Sequence, residues 1–209
     1  MWSRRQLIAG SMASVGLVAA PAIVRAQALV RGPQTPSQTE GPYYPIDKPD
    51  DSDNDLVIVR GQAARAQGVV THIRGRIVDR DGRPIESAVV EIWQCDANGF
   101  YRHPRDRPGP RDGAFQGFGR SSVSSDGAYG FRTIRPVAYP GRTPHIHFRL
   151  DAPVRRLTTQ MYVAGEPLND GDIIYRSLDR AGRDAVTVLL VAANGIEDGA
   201  LAGEFNIVV

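Results

Sequence analysis

A single cysteine, Cys95, stands among the 209 residues, so no intramolecular disulfide can form. It ends the apolar run Val89-Val90-Glu91-Ile92-Trp93-Gln94-Cys95, where a buried, inert thiol is expected rather than a nucleophile or a metal ligand. No acidic residue precedes residue 27, whereas Arg4, Arg5 and Arg25 do. Without those three arginines the formal charge moves from +2 to −1, which removes the electrostatic case for nucleic acid that a pI of 8.9 suggests. No His-Glu-x-x-His pattern occurs, which excludes the common zinc hydrolase site. There is no internal repeat, no low-complexity tract and, beyond the N-terminal segment, no long amphipathic helical pattern.

What is present begins with an export signal. Ser3-Arg4-Arg5-Gln6-Leu7-Ile8 resembles the twin-arginine motif, residues 6–24 carry no charge, and Val24-Arg25-Ala26 offers small residues at a cleavage site. Leu7 and Ala9 depart from the commonest residues of that motif. The competing reading, an uncleaved anchor, is weakened by Gly10, Gly16, Ser11, Ser14 and Pro21 in a stretch barely long enough to span a bilayer. Residues 1–26 are therefore expected to direct export, to the periplasm, with no stable membrane anchor. A twin-arginine route carries folded proteins.

Residues 27–68 read as an extended arm. The stretch from Gly32 to Pro45 holds too much proline and glycine for a helix or a central strand. Asp51, Asp53 and Asp55 mimic the start of a calcium loop, but Leu56 and Gln62 occupy the positions that need glycine and glutamate, so a solvated loop is expected. Residues 69–209 read as strands, over 69–79, 88–95, 128–134, 144–150, 159–164, 185–191 and 203–209, separated by Gly, Pro, Asn and Asp. A short helical turn fits residues 171–178. The expected fold is all-β: an antiparallel β-sandwich behind an extended N-terminal arm. The loop 102–119 carries Arg102, Arg105, Arg107 and Arg111, a solvated surface or a rim that attracts an acidic aromatic. Trp93 and Tyr129 are expected in the core, His72 in a structural role and His103 at the surface.

The run Tyr139-Pro140-Gly141-Arg142-Thr143-Pro144-His145-Ile146-His147 is the most informative stretch. In an extended strand His145 and His147 point the same way. With Tyr139 close by they resemble half of a metal site, and Tyr101, after another apolar strand, could supply the rest. Phenolates and neutral imidazoles suit a hard, oxidised iron, and a trivalent cation deprotonates the tyrosines that bind it. No carboxylate lies within the run, which disfavours the two-His, one-carboxylate site of ferrous oxygenases. A nitrogen-only site would need His72 or His103 as a third imidazole, and zinc or copper remains an alternative metal.

Several segments in order resemble the intradiol ring-cleavage dioxygenases: Gly99-Phe100-Tyr101-Arg102-His103, Gly117-Phe118-Gly119-Arg120, the run from Asp126 to Pro136, Tyr139-Pro140, Arg142 and His145-Ile146-His147. The arm segment Thr35 to Tyr43 resembles the pocket-forming N-terminal segment of protocatechuate 3,4-dioxygenase subunits. No counterpart appears of the helical dimerisation region found in catechol and hydroxyquinol 1,2-dioxygenases. The resemblance spans about residues 35–209. It implies one non-haem Fe(III) per chain held by Tyr101, Tyr139, His145 and His147. It further implies that a catecholic, protocatechuate- or catechol-like diol displaces Tyr139, which takes up a substrate proton, and that ring cleavage with O2 gives a cis,cis-muconate-type diacid. Arg142 would stabilise charge on the ring, Gln160 would stand beside it as a polar catalytic residue, and Gly41, Pro42 and Tyr43 would line the pocket with Arg142. Assembly as a homo- or hetero-oligomer is open. The alternative is an exported, non-catalytic β-sandwich module that binds carbohydrate or another surface component; such modules share the pattern seen from Gly75 to Pro84.

Overall fold

A computed structural model describes residues 32–153 and 155–209. The export signal expected over residues 1–26 lies outside the described residues. Two sheets pack face to face. The first is centred on β1 (Val70–Val78), which pairs antiparallel with β4 (Ala128–Ile134) on one side and parallel with β9 (Leu201–Glu204) and β10 (Ile207–Val208) on the other. The short β8 (Val191–Ala192) extends this sheet beyond β9. The second runs in the order β3 (Phe118–Ser122), β2 (Val89–Trp93), β5 (His145–Asp151), β6 (Arg156–Val163) and β7 (Thr187–Val188).

The sandwich is mixed rather than purely antiparallel, a correction to the expectation from sequence. Parallel neighbours need a long crossover. Between β6 and β7 the chain supplies one: a 3-10 helix at Pro167–Gly171, then α1 (Ile173–Arg176) and α2 (Arg180–Val186). Residues 180–186, partly read as strand, are helical because Asp179 caps them by accepting from Gly182 N, while their apolar content is only Val186 and two alanines. The last segment, read as one strand, is two: the ladder breaks at Phe205 and Asn206, whose side-chain oxygen replaces a backbone acceptor for Arg76 N. Strand β3 was hidden at the end of the arginine-rich loop by its two small polar residues and a glycine.

Alternation along β5 explains where the site lies. Ile146, Phe148 and Leu150 point into the core between the sheets and are at most 1% exposed. His145 and His147 point to the opposite face. On an ordinary two-layer sandwich that face meets water. Here it is covered, so Glu91, Trp93, His145, His147 and Gln160 are all buried. The cover is the arm together with the loops around residues 94–117 and 137–143. The arm is pinned at several points: Thr35 N donates to Val208 O, Gln38 N donates to Thr158 O, and Leu56 and Val57 enter the core. Buried Glu91 accepts from Tyr44 Oη at 2.7 Å and Lys48 Nζ at 2.6 Å, with Arg120 Nε at 3.3 Å. Asp55, expected in a solvated loop, instead forms an ion pair with Arg132. No helix among the described residues is long and apolar enough to cross a membrane.

Candidate metal centre

Three local devices place the four candidate ligands. Tyr139 and Arg142 are the ends of a tight turn: Arg142 N donates to Tyr139 O at 2.9 Å, and Gly141 has φ +81°. Proline then glycine at the two central positions is the signature of a type II turn, whose third residue needs positive φ. The turn brings both side chains to one side, and Arg142 Nη1 reaches Tyr139 Oη at 3.3 Å. Tyr101 follows β2 after a turn held by the Asp96 carboxylate. Its amide donates to Asp106 Oδ2 at 2.6 Å, and its carbonyl accepts from Arg111 Nε at 3.0 Å. Part of the arginine-rich loop therefore fastens Tyr101 rather than facing solvent. His145 and His147 come from β5, where Trp93 and Gln160 stand opposite His147 and Tyr162 opposite His145.

The four rings form a closed circuit. Centroids lie 5.4 Å apart for Tyr101–Tyr139, 5.5 Å for Tyr139–His145, 4.8 Å for His145–His147 and 6.2 Å for His147–Tyr101. The two Nε2 atoms are 3.2 Å apart. Two nitrogens bound at about 2.1 Å to one ion, at right angles, stand roughly 3 Å apart. His145 Nδ1 lies 2.6 Å from Thr143 O, an acceptor only, so it carries the ring proton and leaves a lone pair on Nε2. The His147 ring stacks on Trp93 at 4.7 Å and 8°. Its Nδ1, like Tyr101 Oη, is buried without a protein partner.

Such a cluster is costly without a cation. Burial pushes Tyr101 well above its usual phenol range, and neighbouring Tyr139 adds to the shift. Burial also raises Tyr139, against the pull of Arg142. Burial, with Arg142 nearby, lowers His145 to about 3, and burial with His145 and Arg142 lowers His147 well below its usual value. Two neutral imidazoles and two phenols in a dry pocket, with the imidazole Nε2 atoms turned to each other and an orphaned hydroxyl, are the donor set a hard cation would complete. No cluster of three His, Cys, Asp or Glu occurs among the described residues, so the carboxylate triad is not the geometry here. His72 pairs with Glu197 at 3.1 Å, away from the cluster. His103, expected at the surface, is 3% exposed: its Nδ1 accepts from Arg105 N at 3.1 Å, and its ring packs edge-on to Tyr43 at 5.8 Å.

The remaining candidates divide. Arg142 Nη2 donates to Gln160 Oε1 at 2.6 Å, and Gln160 Nε2 donates to Thr39 O of the arm at 3.0 Å. Gly41, at φ +73°, brings the arm against His147; a Cβ there would stand 3.4 Å from His147 Cε1. The Tyr43 ring stacks on Tyr101 at 4.5 Å and meets Tyr139 edge-on at 6.2 Å. Pro42, between them, is exposed. A cavity of about 240 Å³ opens beside Tyr139, Gly141, Arg142, Leu168 and Asp172. A larger one of about 460 Å³ is lined by Tyr43, Trp93, Tyr101 and Arg102 among others.

Sequence reasoning missed Trp93 as the platform of His147, Gln38 as the arm's link to Gln160 and Tyr162, and Asp172 as the partner of Arg142. Only Asp172 left a trace, as an acidic residue just before a short helix.

Residues 39–209 match the protein family described as Dioxygenase. The chain is 36% identical over 200 residues to the protocatechuate 3,4-dioxygenase beta chain of Burkholderia cepacia, covering 86% of this chain and 84% of that one. It is 30% identical over 164 residues to catechol 1,2-dioxygenase of Candida albicans, covering 69% of this chain and 52% of the relative, so it spans about half that enzyme's length. Among solved structures it superposes on the dioxygenase domain of a dioxygenase carbohydrate-binding protein fusion from Streptomyces sp. SirexAA-E. The TM-score is 0.66 at 31% identity, covering 84% of this chain and 97% of that one.

Proposed function

Because the chain belongs to the intradiol dioxygenase family, an iron-dependent family of oxidoreductases that incorporate O2, we propose that it holds one Fe(III) through Tyr101, Tyr139, His145 and His147 and cleaves a catecholic aromatic to a cis,cis-muconate-type diacid. The observation that carries this reading is the circuit of two phenols and two imidazoles, with the two Nε2 atoms 3.2 Å apart and Tyr101 Oη buried without a protein partner. Held by these four residues, ferric iron would supply Lewis acidity that activates the diol toward O2.

The protein's own groups do the rest. Tyr139 is the more exposed of the two tyrosines and borders the smaller cavity, so the diol approaches from there. Tyr139 Oη is the acceptor for a diol proton. Its affinity for that proton is tempered by Arg142, 3.3 Å away, which favours the phenolate. Arg142 lines the same cavity and stabilises negative charge developing on the ring, and Gln160 holds its Nη2 in line. Gly41 and Tyr43 close the site from the arm side and limit water.

Export rests on the Arg4-Arg5 signal, giving a periplasmic enzyme; antibody detection in periplasmic and cytoplasmic fractions, with an Arg4→Lys, Arg5→Lys control, tests it. Assembly into homo- or hetero-oligomers is tested by light scattering. For the reaction, iron-loaded protein is expected to show a broad red-brown tyrosinate band that changes with catechol or protocatechuate, accompanied by O2 uptake. A colourless, folded protein with stoichiometric zinc would overturn the assignment. Neither relatives nor site favour the non-catalytic binding module: the Streptomyces neighbour is itself the dioxygenase domain of its fusion.

A further inference from the structure

Asp172 is the least conspicuous charged group near the site, yet its side chain is 0% exposed. It stands at the N-cap of α1, and Oδ1 accepts from Ile174 N and Tyr175 N, both at 2.9 Å. Oδ2 turns the other way and accepts from Arg142 Nε at 2.8 Å and Thr143 N at 3.0 Å. All four donors are thus collected by one buried carboxylate. Burial alone would raise its pKa, but the hydrogen bonds from Tyr175, Thr143 and Arg142 outweigh that and hold it below the usual carboxylate range, so it remains an anion.

The consequence for Arg142 is geometric. A guanidinium has five N–H groups in one plane, and fixing Nε fixes that plane. With Nε held by Asp172, Nη1 falls at Tyr139 Oη and Nη2 at Gln160 Oε1. Thr143 is held by the same oxygen, and its carbonyl in turn accepts from His145 Nδ1. The hydroxyl of Thr143 donates to buried Asn169 Oδ1 at 2.8 Å, which ties the same segment to the 3-10 helix. A carboxylate placed on the Nε side leaves the charge-bearing edge directed at the phenol.

We propose that Asp172 is a positioning residue for the ring-cleavage reaction: from the crossover between β6 and β7 it orients Arg142 toward Tyr139 and Gln160, its carboxylate, with no exposed surface, acting through Arg142. This rests on the function proposed above and assigns a role to a helix cap outside the metal-binding run. Merely structural capping is the rival, and Asp179 is the internal control, because it caps α2 in the same way without contact to Arg142.

The test compares Asp172→Asn, Asp179→Asn, Arg142→Met and the double variant Asp172→Asn, Arg142→Met in iron-loaded protein with catechol. Asp172→Asn is expected to retain iron and the resting tyrosinate band, and to lower kcat about ten- to a hundredfold with KM changed less than about threefold. In the Arg142→Met background the same substitution should lower kcat by less than about threefold, since its target is gone. Asp179→Asn should lower Tm yet leave kcat unchanged. A loss from Asp172→Asn that is equal in both backgrounds overturns the proposal. If Asp172→Asn fails to fold, Asp172→Glu keeps the charge one methylene further out. In that variant a kcat lowered only in the Arg142 background supports positioning, and an unchanged kcat overturns it. If the wild type cleaves no diol, the function fails separately, and crystal structures of the metal-free wild type and Asp172→Asn still decide: a reoriented Arg142 guanidinium supports the proposal and an unmoved one overturns it.

Discussion

Two arginines, Arg132 on β4 and Arg142 in the Tyr139 turn, are bound by carboxylates in opposite ways. Arg132 spends its whole fork on acids: Nε and Nη2 donate to Glu197 at 2.8 Å, and Nη1 donates to both oxygens of Asp55 at 2.9 and 3.1 Å. Its charge is cancelled locally, and the result fastens the arm and the 193–200 turn to the first sheet. Arg142 meets a single carboxylate, at Nε, while its remaining contacts are a phenol and an amide. Part of its charge is left facing the cavity. The same residue type therefore acts as a rivet when surrounded by acids, and keeps part of its charge uncompensated when its acid is placed to one side.

The comparison is broken most severely by dismantling the ring cluster beside Arg142. His147→Ala should abolish iron retention and reduce turnover roughly a thousandfold or more, while the Arg132 cluster holds and the metal-free protein melts within a few degrees of wild type; iron content, O2 uptake and calorimetry check this. Next come the arginines themselves. Arg142→Met should lower kcat about 100- to 1000-fold. Arg132→Met should leave kcat of the folded protein intact and cost about 1–3 kcal/mol, a fall in Tm of roughly 3–10 °C. Equal kinetic effects from both would end the distinction.

Gln160→Glu sharpens it, because it gives Arg142 a second acid and makes it resemble Arg132. A drop in kcat of about tenfold or more is expected, with the fold unchanged; an unaffected rate would show that the free charge of Arg142 is not used. A subtler consequence concerns pH. Hydrogen bonding from Arg132 holds the Glu197 carboxyl at about 2, below its ordinary 4.5. The folded value lies below the unfolded one, so the stabilisation is complete above pH 4.5 and fades as pH falls toward 2. Urea denaturation of wild type and Glu197→Gln should differ at pH 6, and the difference should shrink steadily as pH is lowered from 4.5 toward 2. The smallest effect is at Cys95, whose thiol burial pushes up to about 12. Thiol reagents should modify native protein negligibly and Cys95→Ser should leave turnover within about twofold of wild type, as rates with and without reagent would show.

Much of the site could be read along the chain because its parts are local. The spacing of His145 and His147 sends both rings to one face whatever the sheet. The order Tyr139-Pro140-Gly141-Arg142 specifies its own turn and places the phenol beside the guanidinium. The strands over 70–78, 89–93 and 128–134 were legible from alternation to within two residues. By contrast, residues 180–186 and the break after Glu204 were misread, since two alanines and a valine carry little periodic signal and a side-chain substitute for a ladder bond has none. His103 was misplaced because polar residues are normally outside, and only the covering Tyr43 and its loop bury it.

Residue types and short-range geometry were thus determined by the sequence alone: two imidazoles on one strand face, a phenol and a cation across one turn, no disulfide. The tertiary structure decided what depends on partners distant along the chain. It set the parallel placement of β7, β9 and β10, it buried the outer face of the second sheet beneath arm and loops, and it brought Asp172, thirty residues on, behind Arg142. Turn and strand preferences arise within a few residues, whereas burial, desolvation and the choice of an arginine's acid arise only when remote segments exclude water together.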